Sequence, residues 1–318
     1  MASASSAAYS LAGKRVWVAG HRGMVGAALT RRLKSEGCSL LEVARREVDL
    51  REQAAVRVWM ARERPEAVFV AAATVGGILA NDTRPAEFLY DNLMIEANII
   101  DAAHSADVEK LLFLGSSCIY PRLAAQPMTE TALLTGPLEP TNEWYAIAKI
   151  AGIKLAQAYR RQHGCRFISA MPTNLYGPND NFDLVSSHVL PALIRKMHEA
   201  KEARAESVLM WGTGKPRREF LHVDDLADAL VHLMKVYDDE GHVNVGIGED
   251  VSIAELAAIC ARVVGFDGRF DYDTSKPDGT PRKLLDVSLL TSLGWRASIP
   301  LEDGIRETYR WFLKHGTS

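Results

Sequence analysis

A strand, a glycine-rich turn and a helix start follow one another at the beginning of this chain. Arg15-Val16-Trp17-Val18-Ala19 is a short apolar run of strand length, and Ala27 to Leu33 has helical periodicity. Between them lies Gly20-His21-Arg22-Gly23-Met24-Val25-Gly26, a G-x-x-G-x-x-G turn. Glycines let the backbone approach a ligand closely, and the first turn of a helix offers free N–H groups to an anion. In this context the pattern predicts a dinucleotide pyrophosphate site made by Gly20, His21, Arg22, Gly23, Met24, Val25 and Gly26.

The residues after the second strand decide which dinucleotide is held. An acidic residue there suits the ribose 2′-hydroxyl of NAD, and Arg suits a 2′-phosphate. Here the apolar run at 39–43 leads into Ala44-Arg45-Arg46, and Arg22 stands in the glycine turn. Guanidinium groups bind phosphate as a bidentate fork, so the pattern favours NADP(H), with Asp49 and Leu50 flanking the adenine. The alternative is a solvated surface pair of arginines.

Strands and helices alternate onward. Apolar runs at 67–70, 110–114 and 166–170 read as strands, and a long helix is predicted over about 85–106. Repeated βα units imply a Rossmann-type α/β fold: a doubly wound parallel sheet with helices on both faces. Ligands then collect beyond the carboxyl ends of the strands. The glycine turn, Ala71-Ala72-Ala73, Ser116-Ser117-Cys118 and Pro172-Thr173-Asn174 all fall at such ends. Patterning becomes irregular after residue 176, which predicts a smaller interleaved C-terminal α/β substrate lobe. Residues 1–175 plus about 219–247 form the NADP-binding domain, and 176–218 plus about 248–318 form the lobe.

Composition narrows the setting. With 318 residues, 47% of them hydrophobic, the chain has ample core. A net charge of −3 provides no basic field for nucleic acid or a membrane surface. No apolar run approaches the roughly 20 residues of a membrane span. The first ten residues lack the basic and apolar blocks of a secretory signal and read as a frayed leader. Cys38, Cys118, Cys165 and Cys260 are scattered, with neither metal spacing nor a disulfide framework, so no metal is expected and a cytoplasmic setting fits.

Tyr145 and Lys149 are four residues apart in Asn-Glu-Trp-Tyr-Ala-Ile-Ala-Lys, on one face of a predicted helix capped by Thr141 or Asn142. An ammonium beside a phenol favours the phenolate, which suits proton transfer to or from a carbonyl oxygen. Ser116 can hydrogen-bond the same oxygen. On residues alone, Cys118 also reads as a small core side chain and His188 as a surface or capping histidine.

Together these motifs resemble the extended short-chain dehydrogenase/reductase family over nearly the whole chain. The resemblance rests on Ala-Gly-His-Arg-Gly-Met-Val-Gly (19–26), Leu-Gly-Ser-Ser-Cys-Ile-Tyr-Pro (114–121) and Glu-Pro-Thr-Asn-Glu-Trp-Tyr-Ala-Ile-Ala-Lys (139–149). Met-Pro-Thr-Asn-Leu-Tyr-Gly-Pro (171–178), Ser-His-Val-Leu-Pro (187–191) and Arg-Glu-Phe-Leu-His-Val-Asp-Asp (218–225) extend it. The first of these recurs across the wider family; the Ser-Ser-Cys segment with a later Ser-His-Val is much more specific and resembles members acting on a GDP-linked 4-keto-6-deoxy sugar. The resemblance implies 3,5-epimerisation followed by 4-reduction. Cys118 and His188 would exchange the carbon-bound protons, Tyr145 and Ser116 would hold the carbon 4 oxygen, and Lys149 would hold the nicotinamide ribose. It adds Ala72, Pro172, Thr173, Asn174 and Leu175 to the cofactor site.

A GDP-sugar carries a diphosphate, which calls for cations. Lys196, Arg218 and Lys283 are candidates, with Trp211 to stack on the base or sugar. By resemblance Lys196, Trp211 and Arg218 match substrate positions, and Asp286 is a further match. Thr74 stands where a Lys is expected, and Trp144 where a Pro is. The resemblance also implies a homodimer through helices at about 85–106 and 145–162. Rival readings are a nucleotide-sugar 4,6-dehydratase or 4-epimerase, a ketoreductase without epimerase activity, and a non-catalytic dinucleotide-binding protein.

Overall fold

The computed structural model describes residues 8–276 and 278–316. In chain order the strands and helices are β1 Arg15–Ala19, α1 Met24–Leu33, β2 Ser39–Leu41, α2 Gln53–Glu63, β3 Ala67–Val70, α3 Ile78–Thr83, α4 Pro85–Ser105 and β4 Lys110–Leu114. Next come α5 Glu143–His163, β5 Phe167–Pro172, β6 Asn174–Tyr176, α6 Val189–Glu202, β7 Ser207–Trp211, β8 Arg217–Arg218, β9 Phe220–His222 and α7 Val223–Val236. The chain continues with β10 His242–Val245, β11 Val251–Ser252, α8 Ile253–Val264, β12 Arg269–Asp273, β13 Arg282–Lys283, α9 Ser288–Ser292 and α10 Leu301–His315.

Six strands form one parallel sheet in the order β10-β5-β4-β3-β1-β2. The chain runs from β1 outward to β2, then returns to the other side of β1 at β3. That reversal opens a crevice beyond the carboxyl ends of β1 and β3. Strand residues alternate between two cores, because side chains on a strand alternate faces. Val16, Val18, Phe69, Leu112 and Ile168 pack with α1 and α7. Trp17, Val68, Leu111, Phe113 and Phe167 pack with α2, α4 and α5. The expected doubly wound α/β sheet is therefore present.

A third core joins α6, α8 and α10 through Leu193, Met197, Leu256, Cys260 and Phe312, with Val208 of β7. Leu290 of α9 and Trp295 instead pack into the first core, inside the stretch that the sequence assigns to the smaller lobe. Residues 1–7 of the leader lie outside the described residues. The rest of it is not frayed: Tyr9 is buried, its N–H donates to Lys235 O at 2.8 Å and its hydroxyl to Glu109 at 3.1 Å. The expected second strand ends at Leu41, two residues early. Asn142 stands at the N-cap of α5, with no side-chain capping bond. Among the described residues no helix is long and apolar enough to cross a membrane.

Candidate active site

The glycine turn lies where β1 leaves the sheet. Gly20 adopts φ +86°, and a Cβ on it would stand 2.8 Å from the Ala72 backbone. A Cβ on Gly26 would stand 2.7 Å from His21 Cα. Only glycine fits at either position, so the loop lies flat and leaves the start of α1 open. Gly23 is the N-cap and makes no side-chain capping bond, which leaves the first N–H groups of α1 free for an anion.

A cavity of about 360 Å³ borders this turn and is lined by Gly20–Gly23, Val43–Arg46, Val48–Arg51, Ala71–Thr74, Asp91 and Ile95. Arg45 and Arg46 are largely exposed at its rim, and Arg22 is exposed on the turn. The cradle, the free helix start and these guanidinium groups fit a dinucleotide with a ribose phosphate. Asp49 does not stand free beside the adenine position. Arg51 grips it through two nitrogens and reaches Asp91 at 3.1 Å. Those bonds hold the Asp49 carboxyl at about 2. Arg51 escaped the sequence reading, because a charge in a polar loop carries no sign of its partners.

The loop after β3 is held in place by α4. Asn92 accepts from Thr74 N at 2.9 Å and donates to Thr74 O at 3.0 Å. The Thr74 hydroxyl donates to Asp91. Thus the residue that replaces an expected Lys anchors the loop. Further along it, Gly77 N–H donates to Ser186 O at 3.0 Å, joining the loop to the segment that leads into His188.

Beyond β4, Ser116 is half-buried and caps a single 3-10 turn over Ser117–Ile119, its Oγ accepting from Cys118 N. Ser117 is buried, so Ser116 is the more accessible hydroxyl. Cys118 is buried, and desolvation pushes its thiol up against weaker opposing effects from Ser116, Lys283 and Lys149. Tyr145 and Lys149 share one face of α5, with the ammonium 5.7 Å from the phenol ring centre. The Phe88 ring meets Tyr145 edge-on at 6.4 Å, and Trp144 is accommodated by turning outward to solvent.

The phenol does not titrate in the direction that the Tyr/Lys spacing predicts. Burial is the main cause of a Tyr145 pKa well above 10, followed by the neighbouring Cys118 and Glu96. Lys149 gives its charge elsewhere: its Nζ lies 2.8 Å from Glu96 Oε1 on α4. Glu96 was also missed, since a lone acid in a helical pattern reads as solvent-facing.

His188 is the N-cap of α6, makes no capping bond with its side chain, and remains accessible. Crowding around the imidazole lowers its pKa below the usual value. Lys196 lies on the same helix, 5.7 Å from the Trp211 ring centre, and Lys276 lies at 5.6 Å. Arg218 and Lys283 face each other across the parallel β8–β13 pair. Neither forms an ion pair among the described residues, and burial lowers both pKa values. Two poorly compensated cations suit an anionic ligand. Asp286 is turned to other work, its carboxylate accepting from Ser288 N at 2.8 Å at the start of α9. Asp278, overlooked in the sequence, accepts from Thr213 N and Oγ and fixes the turn after Trp211.

Pro172 ends β5, Thr173 follows it, and Asn174 and Leu175 open β6. Thr173 and Asn174 both donate to Glu219 O, tying this strand end to β9. A larger cavity of about 710 Å³ borders Arg218 but none of the other site residues named here. His222, Asp224 and Glu307 bring one ligand atom each within 4.8 Å. His222 Nδ1 accepts the Asp224 N–H, and Arg31 pairs with the Asp224 carboxylate, so this trio serves the start of α7.

The sheet order, the glycine cradle and the Ser/Tyr/Lys set define a nucleotide-dependent epimerase or reductase of the Rossmann class. The chain belongs to the NAD dependent epimerase/dehydratase family, which it matches over residues 16–246. It is 60% identical to a GDP-L-fucose synthase of Sinorhizobium fredii, over 96% of this chain and 98% of that one. It is 56% identical to the GDP-L-fucose synthase of Escherichia coli, over 95% and 97%. A crystal structure of a GDP-L-fucose synthetase from Naegleria fowleri bound to NADP superposes with a TM-score of 0.90 at 30% identity, over 98% of this chain and 97% of that one.

Proposed function

We propose that this chain is an NADPH-dependent 3,5-epimerase and 4-reductase that converts GDP-4-keto-6-deoxy-D-mannose to GDP-L-fucose. Support comes from relatives of that name at 56–60% identity over almost the whole chain. The observation that carries the reading is Cys118, in the turn after β4 that packs on α5, standing near Tyr145 and Lys149. A ketoreductase alone has no need of a thiol there.

The ketone at carbon 4 acidifies the protons on carbons 3 and 5. Cys118 and His188 act as the thiol/imidazole pair, one taking a proton from a face of the sugar and the other returning one to the opposite face. The enolate oxygen on carbon 4 is held by Tyr145 and Ser116. Bound NADPH supplies the hydride for carbon 4, and the Tyr145 hydroxyl gives its proton to the carbon 4 oxygen. Lys149 orients the nicotinamide ribose, and Arg22 and Arg45 take the 2′-phosphate. Lys196, Arg218 and Lys283 face the diphosphate, and Trp211 stacks on the base or sugar. The protein works as a cytoplasmic homodimer.

The test is NADPH oxidation with fresh GDP-4-keto-6-deoxy-D-mannose, with the product's stereochemistry read by NMR. GDP-L-fucose is expected. Reduction to an unepimerised deoxysugar would remove Cys118 and His188 from the mechanism. Tight NADPH binding without turnover would overturn the substrate.

A further inference from the structure

The Lys149–Glu96 pair is buried on both sides, each side chain being 2% exposed. Glu96 comes from α4 and Lys149 from the neighbouring α5. The carboxylate is buried through both oxygens, and neither accepts a hydrogen bond among the described residues, so charge alone ties it to Lys149. Gly152 makes room for it: a Cβ there would stand 2.6 Å from Oε2 and collide with the Phe113 ring. The same Phe113 ring lies 4.9 Å from the ammonium. Desolvating two charges is costly, and apolar side chains would fill this space without that cost. The charge therefore calls for a role beyond packing.

Building on the function proposed above, we propose that Glu96 is a positioning residue for the reductase step: its carboxylate fixes the Lys149 ammonium beside the Tyr145 phenol and offsets its positive charge. Lys149 alone would draw the proton off the phenol. A group that must protonate an alkoxide has to keep its proton until the hydride arrives. The groups facing the phenol are Lys149 on its own helix, Glu96 from α4 and Cys118 from the turn after β4, with Lys283 of β13 facing Cys118. With the Lys149 charge offset by Glu96, burial keeps Tyr145 protonated.

The test follows the Tyr145 carbon resonance by NMR in the NADP+-bound enzyme labelled with [13Cζ]tyrosine, assigned with Tyr145→Phe. Wild type, Glu96→Gln and Glu96→Asp are titrated. The Tyr145 midpoint is expected to fall by about one pH unit in Glu96→Gln, the low end of what a nearby charge does. Glu96→Asp retains the charge and should stay near wild type. Coincident midpoints in wild type and Glu96→Gln would overturn the proposal, as would a phenol untitrated in both up to the pH of unfolding. Should Glu96→Gln not fold, Gly152→Ala displaces the carboxylate instead, and an unmoved midpoint there overturns it equally. No sugar enters this measurement, so a failed turnover assay would strike the substrate assignment while the midpoint still judges Glu96.

Discussion

Lys196 Nζ stands 5.7 Å from the centre of the Trp211 ring, and the indole is 63% exposed beside it. An exposed aromatic flanked by Lys196 and Lys276 is poised to take a planar base with a phosphate nearby. Replacing Trp211 with Ala should raise KM for the GDP-sugar roughly ten-fold or more, the effect of about 1.4 kcal/mol of lost binding. The NADPH dissociation constant should stay unchanged. Steady-state kinetics with fluorescence titration of NADPH separates the two, and equal weakening of both ligands would remove Trp211 from the sugar-nucleotide site.

Arg45 lies at the rim of the adenine cavity, 3.9 Å from Asp49, whose carboxylate is already committed to Arg51. It is therefore available to a 2′-phosphate. Arg45→Ala should weaken NADPH by about 1.5–3 kcal/mol, the range for a charged hydrogen bond, and leave NADH almost untouched. The ratio of the two kcat/KM values, measured at low and moderate salt, checks this. A variant that loses both cofactors equally would place the phosphate elsewhere.

Cys118 and His188 are both held in their neutral forms, the thiol raised by burial and the imidazole lowered by the crowding around it. Cys118→Ala should abolish the uptake of solvent deuterium at the sugar carbons and leave reduction of the ketone measurable. In the wild type, exchange should persist to below pH 6.5, because a lowered imidazole stays neutral there. The midpoint belongs to the interacting pair rather than to either residue. Mass spectrometry of the recovered sugar from pH 5 to 9 reads it, and an acid limb above 6.5 would contradict the assignment.

His242 links the pH dependence of stability to the sheet. Burial pushes its imidazole down to about 4, and its Nε2 lies 2.9 Å from the Tyr120 hydroxyl. The unfolded chain binds that proton more readily, near pH 6.5. The neutral histidine's contribution is thus complete above about 6.5 and lost as pH falls towards 4, by about 3 kcal/mol. Urea unfolding at several pH values should show this loss in the wild type and a flatter profile in His242→Gln. Parallel profiles would rule out His242 as the cause.

Wherever local chemistry decides, the fold was readable in advance. Gly20 and Gly26 announce a turn that no side chain can enter, and the alternation of strand and helix patterns announces a parallel sheet. Tyr145, Lys149 and Ser116 were readable because helix spacing and strand ends place them. Glu96, Arg51 and Asp278 were not, since each takes its meaning from a partner brought close only by folding. Tyr9 was hidden in a run of small residues, where nothing local signals that its ring closes the base of the sheet. Asp286 shows the reverse: the resemblance offers it as a substrate residue, yet its carboxylate accepts from Ser288 N–H at a helix start.

Gly152 in the middle of α5 bears on any effort to make this protein more robust. Glycine inside a helix is less favourable than alanine by about 1 kcal/mol, so routine stabilisation would fill it first. Here the missing methyl group is the space that the Glu96 carboxylate and the Phe113 ring occupy. The helix is locally suboptimal at the point where the Glu96–Lys149 pair needs a gap, and a screen for thermostability alone would select against that gap.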